Sequence, residues 1–187
     1  MPQRQKTKAL CQKAVRQNGF ALHYVPKRFL TPQLCRIAVS QNGFALQCVP
    51  HKFKTRTLCL KAIRQSGAAF IYMPQKLISK AIVFAFVNTC PDCFPHIPQK
   101  YRTREICLIA VQSYGQVCEH IPPELQSEGF FLEAVKRNAN GKALKYIPDE
   151  YRTLAVCKAA LQRHGDKREE LLGYVPENLK EFIGKDG

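Results

Sequence analysis

Apolar and polar positions recur along this chain with a period of 24 residues. Within each period the apolar residues stand at i, i+3 and i+4, as Cys35, Ala38 and Val39 do, which is the spacing of one buried stripe on a helix. A proline recurs near the end of every period. The first five prolines are 24 residues apart, and the last two follow after 26 and 28, so the sixth and seventh repeats carry two and four extra residues. These prolines are Pro26, Pro50, Pro74, Pro98, Pro122, Pro148 and Pro176. The pattern predicts a tandem array of short amphipathic helices, because each unit repeats the same apolar stripe.

Each repeat begins with a hydroxyl residue of the class that caps a helix N-terminus. These residues are Thr7, Thr31, Thr55, Ser79, Thr103, Ser127 and Thr153. Four residues later comes a cysteine column, in which Val83 and Phe131 replace cysteine in two repeats. Its cysteines are Cys11, Cys35, Cys59, Cys107 and Cys157. We expect these thiols to pack in the core as small hydrophobes.

The first helix of most repeats is followed by a glycine, which we expect in the left-handed conformation that ends a helix. These glycines are Gly19, Gly43, Gly67, Gly115 and Gly165. A short segment before the proline is long enough for one or two further helical turns. Three residues after the proline comes an apolar anchor: Phe29, Phe53, Leu77, Tyr101, Leu125, Tyr151 or Leu179.

Together these signals predict an all-α fold, an α-solenoid of about seven stacked helix-turn-helix repeats. The predicted repeats span about 7–30, 31–54, 55–78, 79–102, 103–126, 127–152 and 153–180. We expect residues 1–187 to form a single cooperative domain, because each repeat depends on its neighbours for burial. The fourth repeat departs from the pattern, since Cys90-Pro91-Asp92-Cys93 replaces its glycine.

The columns of Thr, Ala-Val, Asn-Gly, Ala-Leu and Val-Pro resemble a family of bacterial repeats described as a domain of unknown function (DUF4116). The resemblance covers nearly the whole chain. It implies a helical interaction module, often in proteins of host-associated bacteria, and it brings no catalytic residue with it.

Charge divides the sequence into a basic part and a neutral part. The chain has a net charge of +15, and residues 1–122 contain 18 Lys and Arg against 3 acidic residues. Residues 123–187 contain 11 of each sign, so the first five repeats carry the whole net charge. A surface that is basic only for solubility has no reason to lose its net charge after the fifth repeat.

Much of the positive charge recurs in the loop between the proline and the next cap. These residues are Lys27, Arg28, Lys52, Lys54, Arg56, Lys76, Lys80, Lys100, Arg102 and Arg104. A second set stands on the helices, including Arg36 and Lys61, and the sequence does not say which face it occupies. Stacked repeats should align the loop residues into a basic ridge that neutralises the phosphates of nucleic acid. An acidic protein surface, an anionic membrane or plain solubility are the other uses of such a ridge.

Tyr24, Tyr72, Tyr146 and Tyr174 share another column, which we interpret as packing between repeats rather than as stacking platforms for bases. The cysteine pair of the fourth repeat has the spacing of a zinc or redox site. The pair and its possible partners make up one set of candidate metal ligands: Cys90, Cys93, His96, Cys118 and His120. A single pair without a matching second pair is weak evidence, so no metal site is favoured.

The sequence favours a binding protein over an enzyme. Only three carboxylates, Asp92, Glu105 and Glu119, precede residue 123, and the sequence contains neither a Gly-rich phosphate loop nor a nucleophile elbow. We expect no cofactor and no membrane span, and a cytoplasmic location, because no secretory signal is recognisable; secretion as an effector by another route stays open. The alternative function is a protein-interaction module, a bacterial adaptor or effector that grips its partner on the concave face of the solenoid.

Overall fold

The computed structural model describes residues 7–183, which form α-helices and shorter 3-10 helices without a β-strand. The first seven α-helices of this region have ten residues each, and two shorter ones follow. They are α1 (Lys8–Gln17), α2 (Pro32–Gln41), α3 (Arg56–Gln65), α4 (Lys80–Thr89), α5 (Arg104–Ser113), α6 (Glu128–Arg137), α7 (Leu154–Arg163), α8 (Arg168–Leu172) and α9 (Glu177–Ile183). The chain is therefore an all-α repeat protein of the solenoid class, as the sequence predicts.

Every ten-residue helix begins directly after its predicted cap residue. The Thr31 and Thr103 hydroxyls accept hydrogen bonds from the backbone N–H groups of Leu34 and Ile106, at 3.2 and 3.5 Å. Thr7, Thr55, Ser127 and Thr153 make the equivalent bond. Ser79 is the exception, because its buried Oγ has no hydrogen-bond partner among the described residues. The fourth repeat thus differs from the others in two places: its helix lacks the cap hydrogen bond, and the glycine after the helix is replaced.

The second helix of each of the first six repeats is a 3-10 helix. These helices are Gly19–Tyr24, Gly43–Cys48, Gly67–Tyr72, Pro91–His96, Gly115–His120 and Lys142–Tyr146. A three-residue 3-10 turn follows the proline and carries the apolar anchor as its last residue. These turns are Lys27–Phe29, His51–Phe53, Gln75–Leu77, Gln99–Tyr101, Pro123–Leu125 and Asp149–Tyr151. A helical repeat of 24 residues is therefore compact enough to leave only one or two residues between its elements.

The predicted left-handed glycines are wrong, and the structure gives another reason for glycine at this position. Gly141, with φ 75°, is the one glycine between residues 7 and 183 with positive φ. At Gly43 a Cβ atom would lie 2.6 Å from the backbone oxygen of Ala62 in the next repeat. Glycine is needed here because the next helix approaches too closely for a side chain. The helix ends instead at an extended residue such as Asn42, whose Oδ1 accepts a hydrogen bond from Phe44 N–H at 2.9 Å.

The cysteine column lies in the core, as predicted. Its five cysteines, together with Val83 and Phe131, are between 0 and 6% exposed. Burial raises the pKa of Cys35 and Cys157 to about 11 and that of Cys107 to about 12. No disulfide links the nine cysteines, all of which lie within residues 7–183, so the column packs as neutral thiols.

The chain divides into two compact units, Met1–Cys90 and Pro91–Gly187, called here the N-terminal and C-terminal units. In the N-terminal unit α1, α2, α3 and α4 pack against one another in chain order. A ladder of glutamines crosses between these repeats: Gln41 Nε2 donates to Gln17 O at 3.4 Å, and Gln65 Nε2 donates to Ser40 O at 3.1 Å. The sequence leads us to expect that the whole chain unfolds as a single cooperative domain, and this stays a prediction.

In the C-terminal unit α5, α6 and α7 pack in chain order, and a buried polar side chain joins their repeats. Asn138 is fully buried, and its Nδ2 donates to Val111 O at 2.6 Å while its Oδ1 accepts from Ala143 N–H at 3.2 Å. His164 Nε2 lies 2.9 Å from the backbone oxygen of Asn138. Asn138 therefore connects three successive repeats where the sixth one carries its two extra residues.

Within residues 7–183, no helix has both the length and the apolar character that crossing a bilayer requires.

Candidate polyanion interface of the N-terminal unit

The division into two units separates the charges of the chain more sharply than a boundary after residue 122 does. Of the 29 Lys and Arg residues, 15 precede Pro91, whereas all 14 Asp and Glu residues follow it. The N-terminal unit therefore carries the entire net charge of +15 and contains no side-chain carboxylate that could neutralise it. The C-terminal unit is neutral in sum.

Six of the predicted ridge residues are exposed in the N-terminal unit. Three stand in successive three-residue turns, at Arg28, Lys52 and Lys76, and Lys27 precedes Arg28. The other two, Arg56 and Lys80, are the first residues of α3 and α4. All six belong to the same short stretch between the proline and the first helical turn. Within it Arg28, Lys52 and Lys76 are the second residue after the proline, and Arg56 and Lys80 are the sixth.

Two of these cations rest on the aromatic anchors of their own turns. The guanidinium carbon of Arg28 lies 4.8 Å from the ring centroid of Phe29, and Lys52 Nζ lies 5.0 Å from that of Phe53. Such cation–π contacts favour one position of the side chain while its charged end stays exposed. Arg28, Lys52 and Lys76 are called here the turn column, and two of its three side chains are therefore partly ordered before any ligand binds.

Lys54 and Arg102, which the sequence assigned to the same ridge, are occupied within the fold. Lys54 Nζ donates to the backbone oxygen of Tyr72 at 2.7 Å, and burial lowers the pKa of Lys54 below its usual value. Arg102 donates to the backbone oxygens of Ile97 at 2.8 Å and Pro95 at 2.9 Å. Both are half-buried, and both reach the next repeat, Lys54 through Tyr72 O and Arg102 through His120 O, which lies 3.5 Å from its Nη1.

The last two predicted residues, Lys100 and Arg104, belong to the C-terminal unit. Lys100 is exposed, with its Nζ 5.1 Å from the ring centroid of Tyr101. Arg104 Nη2 pairs with Glu133 Oε2 at 2.6 Å, and Arg137 Nη2 pairs with the other oxygen at 2.5 Å. The hydrogen bond from Arg104 is the main reason that the pKa of Glu133 is lowered. The exposed cation of α5 is thus neutralised by a carboxylate of its own unit.

A groove opens between α2 and α3 of the N-terminal unit, beside the turn column. Its lining residues are Pro32, Gln33, Arg36, Phe53, Thr55, Thr57, Leu58 and Lys61. The guanidinium of Arg36 donates a hydrogen bond to Gln33 Oε1, and the Thr55 and Thr57 hydroxyls lie 3.0 Å apart. The sequence predicts that Arg36 and Lys61 lie on helices. It does not predict that they lie on the same groove, because that depends on how α2 and α3 pack. The structure places both on the groove.

The structure does not bring the five candidate metal ligands together in one group. Among the described residues, Cys90, Asp92 and Cys93 have ligand atoms within 4.8 Å of one another. His96, Cys118 and His120 are not members of this group: His96 is exposed, Cys118 is fully buried, and His120 is half-buried. Two thiols and one exposed carboxylate are fewer donors than a structural zinc site needs. No metal site is favoured.

Three tyrosines of the column, Tyr24, Tyr72 and Tyr146, end the second helices of their repeats, and Tyr174 lies two residues beyond α8. Tyr72, Tyr146 and Tyr174 are half-buried, whereas Tyr24 is 69% exposed and meets His23 edge-on, with ring centroids 5.0 Å apart. Lys145 Nζ lies within 5.8 Å of the ring centroids of both Tyr146 and Tyr174. In this last pair, tyrosines of successive repeats contact the same side chain, as packing between repeats requires.

Comparison with protein families gives one result for this chain. The model of a family described as a domain of unknown function (DUF4116) matches residues 31–78 and again residues 79–126. Each match covers two of the 24-residue repeats, and both begin at a cap residue, Thr31 and Ser79. The comparison with curated proteins gave no match, and neither did the comparison with solved structures.

Proposed function

The chain belongs to the family described as a domain of unknown function (DUF4116), whose description assigns no chemistry, and we propose that it is a nucleic-acid-binding protein without catalytic activity. Its N-terminal unit binds the phosphates. The observation that carries the proposal is the complete absence of Asp and Glu from residues 1–90, where 15 Lys and Arg residues stand. Every exposed cation of this unit is therefore available to an external anion rather than to a carboxylate of the same unit.

The turn column supplies the contacts of this proposal. Because α1 to α4 pack in order, equivalent residues of neighbouring repeats should be separated by about the 8–10 Å of packed helices. Arg28, Lys52 and Lys76 then form a row of exposed cations that follows the stacking direction. A row of this kind can track a phosphate backbone, and each neutralised phosphate releases a counterion. Binding should therefore weaken steeply as salt is added.

The same composition supports a function without catalysis. General acid–base chemistry most often relies on His, Asp or Glu, and the N-terminal unit offers no carboxylate and only His23 and His51. Both histidines are exposed at the ends or starts of 3-10 helices. The proposal needs the protein to share a compartment with nucleic acid, so the cytoplasmic location expected from the sequence stays part of it.

The test is a titration of labelled single-stranded and duplex nucleic acid with the full chain, followed by fluorescence anisotropy. Reversing the row with Arg28→Glu, Lys52→Glu and Lys76→Glu should weaken binding by about 100-fold at low salt, because attraction becomes repulsion. The matched control reverses three exposed cations of the C-terminal unit, with Lys136→Glu, Lys142→Glu and Arg163→Glu. Both variants undergo the same change in net charge.

The control separates a located surface from general attraction. If the proposal holds, the control variant loses much less affinity than the turn-column variant. Equal losses in the two variants would show that only net charge matters and would reject the turn column as the binding surface. Failure of the unmodified chain to bind any nucleic acid at low salt would reject the proposed function itself.

A protein-interaction module is the second candidate, and exposed apolar side chains of the N-terminal unit favour it. Leu10, Tyr24, Ile71 and Phe84 are between 42 and 69% exposed. An acidic polypeptide in the same titration distinguishes the two candidates. If it binds as tightly as nucleic acid at equal charge, the cations recognise acidic proteins, and the first proposal fails.

A further inference from the structure

We infer that the groove between α2 and α3 holds one unpaired nucleotide of a single-stranded nucleic acid, with its base against Phe53 and its phosphate between Arg36 and Lys61. This inference rests on the proposed function and deepens it, because it distinguishes single strands from duplexes. The groove lies wholly inside the N-terminal unit, where no carboxylate side chain is present to compete for its cations.

The groove combines an apolar part with polar side chains. Pro32, Phe53 and Leu58 form the apolar part, in which Phe53 is half-buried and Leu58 nearly fully buried. An aromatic ring in a cationic groove is the combination that single-strand-binding proteins use, because every base has a face that can stack. Phe53 therefore supplies what a purely basic surface lacks.

The polar side chains suit the sugar and phosphate of the same nucleotide. Arg36 and Lys61 are exposed cations on the two helices that flank the groove. The hydrogen bond from the Arg36 guanidinium to Gln33 holds Arg36 beside the groove. Thr57 adds an exposed hydroxyl 3.0 Å from that of Thr55. These are donors for phosphate oxygens and hydroxyl groups, and hydroxyls also accept hydrogen bonds.

The C-terminal unit provides an internal comparison for this groove, because α5 and α6 repeat α2 and α3 with an offset of 72 residues in the numbering. At the positions of Pro32 and Lys61 it carries Arg104 and Glu133, which form an ion pair at 2.6 Å. Leu125 replaces the ring of Phe53, and Leu108 replaces Arg36. The equivalent place is thus neutralised by its own carboxylate. It does contain a ring, Phe130 at the position of Leu58, but this ring is only 1% exposed and lies under Arg104. The combination of unpaired cations with a ring at the anchor position is therefore specific to the N-terminal unit.

Single-stranded nucleic acid fits this groove better than the alternatives. A duplex presents its phosphates outside and keeps its bases stacked inside, so it could use the cations but not Phe53. An acidic peptide has the charge for Arg36 and Lys61, yet it does not supply a flat aromatic group at regular spacing. An unpaired nucleotide uses the ring, the cations and the hydroxyls together.

The experiment compares labelled oligonucleotides of about 12 residues, close to the site sizes of single-strand-binding modules. Single-stranded RNA, single-stranded DNA, a duplex and an abasic phosphodiester strand of the same charge are titrated with the full chain. We expect RNA or DNA to bind at least about tenfold tighter than the abasic strand, because base–aromatic stacking contributes that much. Equal binding of the abasic strand and both natural strands would overturn the inference while leaving the proposed function intact.

The decisive variant is Phe53→Leu, which removes the ring and keeps an apolar anchor. Leucine stands at the equivalent position in three other repeats, at Leu77, Leu125 and Leu179, so the fold accommodates it. The control is Phe29→Leu, the same change one repeat earlier, at a position that does not line this groove. In both variants a cation, Arg28 or Lys52, loses its aromatic partner, which makes the pair closely matched.

We expect Phe53→Leu to reduce single-strand affinity to the level of the abasic strand and to leave abasic affinity unchanged. Phe29→Leu should keep the preference for the natural strands. The inference is overturned if Phe53→Leu keeps the preference, or if both variants lose it equally. Circular dichroism melting of both variants shows whether a loss of affinity comes from loss of fold.

Discussion

The ammonium group of Lys54 donates a hydrogen bond of 2.7 Å to the backbone oxygen of Tyr72, the last residue of the next repeat's second helix. The equivalent cations of the C-terminal unit make the same connection more weakly. Arg102 Nη1 lies 3.5 Å from His120 O, and Arg152 Nη1 lies 3.5 Å from Tyr174 O. The fourth residue after the proline is therefore a link between repeats, although it stands two residues from the exposed turn column.

Lys54 and Lys52 should have unequal effects on stability when each is replaced by methionine, which keeps most of the side-chain length. Lys54→Met leaves Tyr72 O without its donor, so the free energy of unfolding should fall by about 1 to 2 kcal/mol. Lys52→Met removes an exposed charge and its contact with the face of the Phe53 ring, and it should change the free energy of unfolding by less than about 0.5 kcal/mol. Urea unfolding measures both, and equal losses would contradict the assignment of Lys54 to a structural role.

Arg102 should not be replaceable by lysine. Its Nε and Nη2 reach two different backbone oxygens, those of Ile97 and Pro95, which the single ammonium of lysine cannot do in the same geometry. We expect Arg102→Lys to lower the free energy of unfolding by about 1 to 2 kcal/mol. The matched change Lys100→Arg, on the exposed neighbour, should be neutral in the same urea titration. A neutral Arg102→Lys would show that the forked contact does not stabilise the fold.

Gly43 and Gly165 occupy the same column but should respond differently to alanine. A Cβ atom at Gly43 would meet Ala62 O at 2.6 Å, whereas the Cβ at Gly165 has nothing within 4 Å. Gly43→Ala should therefore destabilise the protein by about 1 to 3 kcal/mol, because the next repeat must move away. Gly165→Ala should be neutral or slightly stabilising. Thermal melting of the two variants checks the prediction, and a stable Gly43→Ala protein would contradict the close approach.

Alkaline pH should destabilise the fold through the buried thiols. Burial raises the pKa of Cys107 to about 12, so the folded chain retains its proton where the unfolded chain has lost it. The stability that depends on this thiol is complete below about pH 9 and decreases as pH rises towards 12. Raising the pH from about 8 to 10 should cost about 1.5 kcal/mol for each such thiol.

Cys107→Val provides the control for this effect, because Val83 fills the same column in the fourth repeat. The variant should lose less stability than the unmodified chain between about pH 8 and 10 when both are unfolded by urea with a reductant present. If the two proteins lose the same stability, ionisation of Cys107 does not contribute to alkaline unfolding.

Much of the fold could be predicted from local patterns, because caps and apolar stripes act within one helix. Thr31 and Cys35 are examples: each occupies the place that its spacing predicts. The conformation of Gly43 could not be predicted in this way, because its requirement comes from Ala62 in the following repeat. The repeat pattern shows that glycine recurs at this position. The reason that glycine is needed there depends on packing between repeats.

The candidate site was predictable only in part, for the same reason. Charge periodicity identified Lys52 and Lys54 together, yet one is exposed and the other donates to a backbone oxygen 18 residues further along the chain. The groove beside Phe53 was not predictable from spacing, because its sides come from two different helices. Aligning the repeats does give one usable signal: Lys61 in the N-terminal unit corresponds to Glu133 in the C-terminal unit.

The salt dependence of single-strand binding tests the central claim most directly. The unmodified chain and an Arg28→Gln, Lys52→Gln and Lys76→Gln variant are titrated with a single strand between about 50 and 200 mM salt. If the exposed turn column neutralises phosphates, the slope of log affinity against log salt becomes shallower by about 2 in the variant, since each lost contact removes about 0.7. An unchanged slope would contradict the account, because the three cations would then make no contact with phosphate.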